Sequence, residues 1–356
     1  MKIASIVGGR PQLIKVKPIV DELRKQKIKH ILVYTGQHYD YGMSKIFFDE
    51  LDIPKPDYNL EVGSHSHGRQ TALMLERIEE ILLKEKPDIV VVYGDMNSTL
   101  AGALSAVKLN IPIAHVEAGL RSYRLDMPEE INRVLTDRIS KFLFCPTKTA
   151  VENLKKEGIT KGKGVYLVGD VMYDIFQKSK SKIQNSKILK RLNLRPRRYL
   201  LLTIHRQENA DNLENLKSIL SALVKSGKKI VFPLHPHTKK FLEKNRIRLA
   251  EYENVLVIDP VSYLDMLVLE KNAQKILTDS GGVQKEAYWL GIPCITLRKE
   301  TEWLETVVEG RNILVGANKA RIIRSILKPS CSFHNDIRSN YTSVAKSIVT
   351  IIRKTK

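Results

Sequence analysis

The sequence predicts an α/β protein made of two doubly wound, parallel-sheet (Rossmann-like) domains facing across a cleft. Three observations lead there. Short apolar, β-branched runs alternate with amphipathic stretches along nearly the whole chain. The runs are almost continuously apolar, as strands covered on both faces must be. The alternation also comes in two sets, separated by a strongly basic segment at 178–198.

The first set places strands at 2–7, 30–35, 88–93, 111–116, 141–145 and 165–168. The second places them at 199–204, 229–234, 254–258, 275–278, 293–297 and 312–315. Between them lie helical patterns such as GRQTALMLERIEEILLKEK, whose apolar positions recur every three or four residues and whose basic end suits the helix dipole. A length of 356 residues suits two domains. The boundary is expected near 170–175, giving domains at 1–172 and 173–335. A last amphipathic helix is expected within 336–356, with the N-terminal domain as its candidate support.

Composition narrows the class. With 43% hydrophobic and 28% charged residues the chain is too apolar for general disorder. Cys145, Cys294 and Cys331 are far apart and match no metal-ligand spacing, so reduced thiols and a cytoplasmic setting are expected. The opening MKIASIVGG is too short in apolar length for a signal peptide, and no apolar stretch is long enough to span a bilayer. A soluble protein without a membrane partner is the expectation.

The net charge of +20 is uneven. Residues 1–170 hold 25 Lys/Arg against 22 Asp/Glu, and residues 171–356 hold 34 against 17. The excess peaks in KSKSKIQNSKILKRLNLRPRR, which has no acid and no aromatic residue. A nucleic-acid surface would interleave stacking rings with its cations. The segment therefore reads as a solvated helix and linker, and no nucleic-acid partner is expected.

In doubly wound sheets ligands bind beyond the carboxyl ends of the strands, and the unusual residues gather there. The first strand runs into VGGRPQLIKVKP. Its paired glycines allow a tight turn, with Arg10 and Lys15 around the next helix start. Neither GxGxxG nor a P-loop pattern occurs, so this is an anion site of another kind or a glycine turn with surface cations. Asp95 follows the third strand and alone reads as a helix cap. Glu117 follows the fourth, with Glu129 and Glu130 beyond it, and Arg121, Arg124 and Arg133 stand close enough to pair with these acids. Carboxylates at neighbouring strand ends suit acid–base work, because repulsion and burial raise their pKa values.

The second set repeats the arrangement. LLTIHRQEN puts His205 and Arg206 after an apolar run. FPLHPHTKK holds His235 and His237 without an acidic or Cys partner at ligand spacing, so no metal is expected. In ILTDSGGVQKEA a strand stops, Ser280–Gly281–Gly282 turns, and a helix begins. Its bare backbone N–H groups would cradle a phosphate. Glu286, a turn later, is suited to a ribose diol rather than to an anion.

At these residues the chain resembles the non-hydrolysing UDP-N-acetylglucosamine 2-epimerases of GT-B architecture. The resemblance rests on GGRPQLIK, TGQH, YGDMNSTLAG, HVEAGLRS with PEEINR, GD at 169–170, HRQEN and DSGGVQKEA, in the family's order across nearly the whole chain. It implies UDP in the second domain: Ser280, Gly281 and Gly282 on phosphate, Glu286 on ribose, and His205, Arg10 and Lys15 at the diphosphate. It implies Asp95, Glu117 and Glu129 as acid–base carboxylates on the sugar side, with His205 counted among the catalytic groups. The implied reaction interconverts UDP-N-acetylglucosamine and UDP-N-acetylmannosamine. It proceeds by anti elimination of UDP to 2-acetamidoglucal and readdition, with domain closure and without metal or cofactor. A homodimer is implied, as is a second, regulatory substrate site to which Gln37, His38, Arg69 and Gln70 correspond.

Two departures stand out. Bacterial members carry an Arg after Thr-Glu where this chain has Trp303, and an indole cannot supply a cation. The link from Arg121 to Pro128 is also shorter than in many bacterial members, which leaves Glu129 and Glu130 as alternatives. The rival readings are a hydrolysing epimerase or GT-B glycosyltransferase using the same nucleotide site, and a basic nucleic-acid-binding protein.

Overall fold

The structure, a computed structural model, describes residues 1–37, 52–160, 162, 164–329 and 342–354, and the backbone alone at Arg10. The apolar runs form two all-parallel sheets. The first contains β1 (Lys2–Val7), β2 (Lys29–Tyr34), β3 (Tyr58–Asn59), β4 (Ile89–Tyr93), β5 (Ile113–Val116), β6 (Phe142–Cys145) and β7 (Gly164–Leu167), in the order β3-β2-β1-β4-β5-β6-β7. The second contains β8 (Leu200–Thr203), β9 (Ile230–Pro233), β10 (Val255–Ile258), β11 (Lys275–Thr278), β12 (Cys294–Thr296) and β13 (Asn312–Leu314), in the order β10-β9-β8-β11-β12-β13.

Both orders reverse direction beside the first strand of their set, between β1 and β4 and between β8 and β11. Such switch points open a crevice at the strands' carboxyl ends, because successive crossovers leave in opposite directions. β1 and β4 run in parallel register from Ile3 opposite Ile89 to Ile6 opposite Val92. β8 and β11 do so from Leu200 opposite Lys275 to Thr203 opposite Thr278. Each crevice is therefore framed by residues that leave the sheet side by side.

The chain divides into two compact units, Met1–Lys178 with Asn340–Lys356, and Ser179–Ser339. The division falls a few residues beyond the 172/173 expected from sequence. The reason is helix Met172–Ser179, whose Tyr173, Ile175 and Phe176 are buried, and the Val171 just before it, which joins the first unit's core. The closing helix Val344–Lys354 lays Ile348, Val349 and Ile352 into the core that holds Leu13, Val16 and Leu23 of helix Arg10–Lys25. Asp174 fixes its start, accepting from the Val344 and Ala345 N–H groups at 3.0 and 2.9 Å and from Ser343 Oγ at 2.8 Å.

The basic stretch folds as the tail of helix Met172–Ser179, a short turn at Ile183–Asn185 and helix Ile188–Arg191. Ile183, Ile188 and Leu194 are buried, so the segment is anchored by apolar residues between solvated cations. Cys145 and Cys294 are buried free thiols, and Cys331 lies outside the described residues. No described helix is long and apolar enough to cross a membrane.

Candidate active site

In the first unit the ends of β1, β4 and β5 bring three loops together. After β1, the Gly8 N–H is held by Gln12 Oε1 at 2.6 Å. Gln12 Nε2 in turn donates to Tyr93 O and to Thr99 Oγ1. A Cβ at Gly8 would collide with Ser98 Oγ and Thr35 Oγ1, so only glycine lets this turn lie against the start of helix Asn97–Lys108. Lys15, one turn into helix Arg10–Lys25, forms an ion pair with Glu117.

Glu117 leaves β5 with φ +76° and Gly94 leaves β4 with φ +61°. Positive φ is strained for a glutamate, and such strain persists only where the surroundings enforce it. A Cβ at Gly94 would lie 3.1 Å from Lys15 Nζ and 3.4 Å from Glu117 Oε2, so the turn must be glycine for the pair to form beside it.

Burial pushes the Glu117 carboxyl above its ordinary pKa. Lys15 opposes the shift, while Asp170 and Asp95 add to it. Burial pulls the Lys15 ammonium down, but Glu117, Asp95 and Asp170 outweigh it and hold the group charged above its usual range. The first unit thus gathers one buried lysine and three carboxylates. Asp170 was noted in sequence only as part of a motif. It stands three residues beyond β7, so the strand-end rule could have singled it out.

The neighbouring acids divide by partner. Asp95 receives Arg133 Nη2 at 2.5 Å, and its backbone carbonyl receives Asn132 Nδ2 at 2.9 Å. Glu130 is 1% exposed and fully committed: it accepts the Ser122 and Tyr123 N–H groups at 3.0 and 2.9 Å and Arg133 Nη1 at 2.7 Å. Glu130 therefore shapes the loop, while Glu129 beside it is only half-buried. Arg121 is buried between Asp137 (2.7 Å) and Glu157 (2.7 Å), and Arg124 pairs with Asp126. Asp137 also accepts from the fully buried His115, whose other ring nitrogen faces Gly94 O at 2.8 Å. Much of the charge after β5 is thus framework that holds the Gly94 and Glu117 turns.

Of the residues matched to a regulatory site, Gln37 and Gln70 meet. Gln37 Oε1 accepts from Ser98 N and Oγ, while Gln70 Nε2 donates to Gly63 O at 2.7 Å and to Gln37 O at 3.3 Å, and Gln70 Oε1 accepts from Asn97 Nδ2 at 2.9 Å. Arg69 is exposed beside them, and His38 lies outside the described residues, as does the Arg10 side chain.

In the second unit His205 follows β8 and Ser280 follows β11. Asp279, fully buried between them, accepts from the His205 and Arg206 N–H groups and Asn209 Nδ2, and lies 3.4 Å from His205 Nδ1. The His205 ring stands 6.1 Å from that of His235. His235 instead accepts from His237 N, and His237 pairs with Asp211 at 2.6 Å. Helix Gly281–Leu290 starts at Ser280, whose Oγ accepts from Val283 N. A Cβ at Gly282 would have nothing nearer than Ser280 Oγ at 3.9 Å, so the helix mouth is open to a ligand. Glu286 is 5% exposed one turn on.

Trp303 packs across this mouth. A Cβ at Gly281 would lie 3.1 Å from its indole Nε1. The cation that an indole cannot supply is present on its face: Lys285 Nζ sits 4.3 Å from the Trp303 ring centre and pairs with Glu305 at 2.9 Å. Sequence reading missed Lys285, because nothing in QKEA signals that its stem folds under a ring eighteen positions later.

Two Rossmann-ordered parallel sheets in one chain, one ending in a lysine–carboxylate cluster and the other in an open glycine turn, define a protein of GT-B architecture. The sequence pattern of the UDP-N-acetylglucosamine 2-epimerase family matches residues 21–347. The chain belongs to that family. It is 59% identical to a Methanococcus maripaludis protein named UDP-N-acetylglucosamine 2-epimerase homolog, over 92% of each chain. It is 48% identical to the UDP-2,3-diacetamido-2,3-dideoxy-D-glucuronate 2-epimerase of Pseudomonas aeruginosa, over 91% of each. Among solved structures, the Methanocaldococcus jannaschii UDP-GlcNAc 2-epimerase in complex with UDP-GlcNAc and UDP superposes with a TM-score of 0.93. That match is at 47% identity and covers 99% of this chain and 100% of that one.

Proposed function

We propose that the protein inverts carbon 2 of UDP-N-acetylglucosamine, giving UDP-N-acetylmannosamine reversibly and with UDP retained overall. The single observation that carries this is the lysine–carboxylate cluster of Lys15, Glu117, Asp95 and Asp170 at adjoining strand ends of a family member. A simple glycosyl transfer has no need of several proton-handling acids in this domain.

The carbon-2 hydrogen is not α to a carbonyl, so departure of UDP from carbon 1 must lead. The C1–O bond breaks with its electron pair leaving on UDP, a carboxylate takes the carbon-2 proton, and 2-acetamidoglucal results. Readdition reverses both events with the proton delivered from the opposite face, which requires a second acid. Glu117, Asp95 and Glu129 are the carboxylates assigned to this work. Ser280, Gly281, Gly282 and His205, with Arg10 and Lys15, are assigned to the diphosphate, where N–H dipoles and cations stabilise the leaving charge. Glu286 is assigned to the ribose.

A second reading concerns the sugar. The relative named for a 2,3-diacetamido-2,3-dideoxyglucuronate is nearly as similar to this chain as the M. jannaschii UDP-N-acetylglucosamine 2-epimerase, 48% against 50% identity. Incubating the purified protein with each UDP-sugar and resolving the products by chromatography separates the two. Conversion of UDP-N-acetylglucosamine to an equilibrium mixture of the two epimers, with no free UDP accumulating, is the expected outcome. Stoichiometric release of UDP would establish hydrolysis instead, and turnover of the uronate alone would move the assignment to the second substrate.

A further inference from the structure

We infer that Trp303 is a phosphate ligand: its indole Nε1–H donates a hydrogen bond to the anion held at the mouth of helix Gly281–Leu290. The inference deepens the proposed function and rests on the reading that this helix start takes the nucleotide's phosphates.

Four observations lead to it. Trp303 is 5% exposed as a residue, yet none of the described residues accepts a hydrogen bond from its indole N–H, which stays reachable from outside. An indole held in place normally finds a partner for that donor. The N–H group lies over Gly281, where a Cβ would be only 3.1 Å away, so it flanks the backbone N–H groups that the helix leaves without intrahelical acceptors. Lys285 Nζ lies 4.3 Å from the indole ring centre, so a fixed positive charge polarises the ring from behind and strengthens its N–H as a donor.

The loop carrying the ring is also built to hold it still. Arg298 and Glu302 form a bidentate ion pair, at 3.0 Å for both contacts, that is almost fully buried. Thr301 Oγ1 donates to Gln284 Oε1 at 2.7 Å and accepts from Trp303 N, while Thr306 Oγ1 donates to Trp303 O. Gln284 belongs to the same helix that presents Gly281, so donor loop and helix mouth are tied into one body. The arrangement supplies a neutral, directional donor where a mobile cation would give only attraction.

The test uses the full chain with its tryptophan indoles labelled with ¹⁵N. The sequence contains two tryptophans, so the spectrum holds two indole signals, assigned with Trp303→Phe. Saturating UDP is expected to move the Trp303 Nε1–H signal downfield, and uridine, which lacks phosphate, to leave it in place. In Trp303→Phe, which keeps an aromatic ring over Lys285, UDP affinity is expected to fall about tenfold, the size of one hydrogen bond to a charged acceptor, with uridine affinity unchanged. A Trp303 signal unmoved by saturating UDP overturns the inference, as does full UDP affinity in Trp303→Phe. Wild-type protein that binds no UDP at all overturns both this inference and the nucleotide reading beneath it. The signal in the wild-type chain decides the matter even where the variant folds poorly.

Discussion

Lys15 and Glu117 meet as an ion pair with side chains only 12% exposed each, one from the helix after β1 and the other from a left-handed turn after β5. A buried acid and base joined across two strand ends, with the backbone held in an unfavourable conformation to join them, is the arrangement on which the functional reading turns. Glu117→Gln keeps the shape and removes the proton acceptor. Its kcat is expected to fall about 10²- to 10⁴-fold, the usual worth of a positioned acid–base group, with UDP binding by calorimetry within a few-fold of wild type. A variant that retains wild-type turnover removes Glu117 from the chemistry.

Glu129 and Glu130 should separate cleanly. Glu130 is nearly inaccessible and satisfies two backbone N–H groups and Arg133. Glu130→Gln is expected to cost about 3–5 kcal/mol of stability, as breaking a buried ion pair does. Glu129→Gln is expected to leave the melting temperature within a degree or two and to lower kcat. Thermal melts and steady-state rates on the two variants check this, and the reverse pattern would exchange their roles.

The Glu117 environment also predicts a pH signature in stability. Burial, with Asp170 and Asp95, lifts its folded-state pKa against the pull of Lys15. A carboxyl that holds its proton longer in the folded chain contributes stability that declines as pH rises from the ordinary Glu value of about 4.3 through the folded value. Asp137 has the opposite sign. Burial would raise it, but His115 and Arg121 prevail and hold it low, so its contribution is lost as pH falls through the folded value. Urea unfolding of wild type and Glu117→Gln between pH 4.5 and 8 isolates the first term. The stability difference is expected to shift in favour of the variant as pH rises, and a constant difference would contradict a raised Glu117.

The C-terminal helix offers a test of the first unit's construction. Asp174 holds its first N–H groups and Ser343. Asp174→Ala is expected to destabilise the unit by about 1–2 kcal/mol, the cost of a lost helix cap. Faster amide exchange should be concentrated in 344–354. Exchange unchanged in that helix would show that packing of Ile348, Val349 and Ile352 alone retains it.

All twelve strands expected from the sequence are present with ends displaced by no more than two residues. Their legibility has a physical cause, since strands buried on both faces must be apolar throughout. β3, Tyr58–Asn59, was invisible because two residues paired at a sheet edge need no apolar run. The units divide at 178/179 rather than 172/173 because Val171 and Tyr173, just beyond the last strand of the first set, are buried, a tertiary fact that the change in composition does not carry. Within the candidate site, residues standing directly after strands were readable one by one. What depended on folding was how they are shared out. Glu130 is taken up by the loop, Arg133 by Asp95 and Glu130, Gln37 and Gln70 by neighbouring helix starts, and Lys285 by Trp303. Single residues cannot announce such partners, because the partner is set by tertiary placement.

The most direct test of the central claim is to run the reaction in heavy water and follow carbon 2 by NMR. The account predicts deuterium at carbon 2 in both UDP-N-acetylglucosamine and UDP-N-acetylmannosamine, at a rate tied to epimerisation, with the UDP-sugar total constant. Epimer formed with its original carbon-2 hydrogen intact would contradict elimination and readdition.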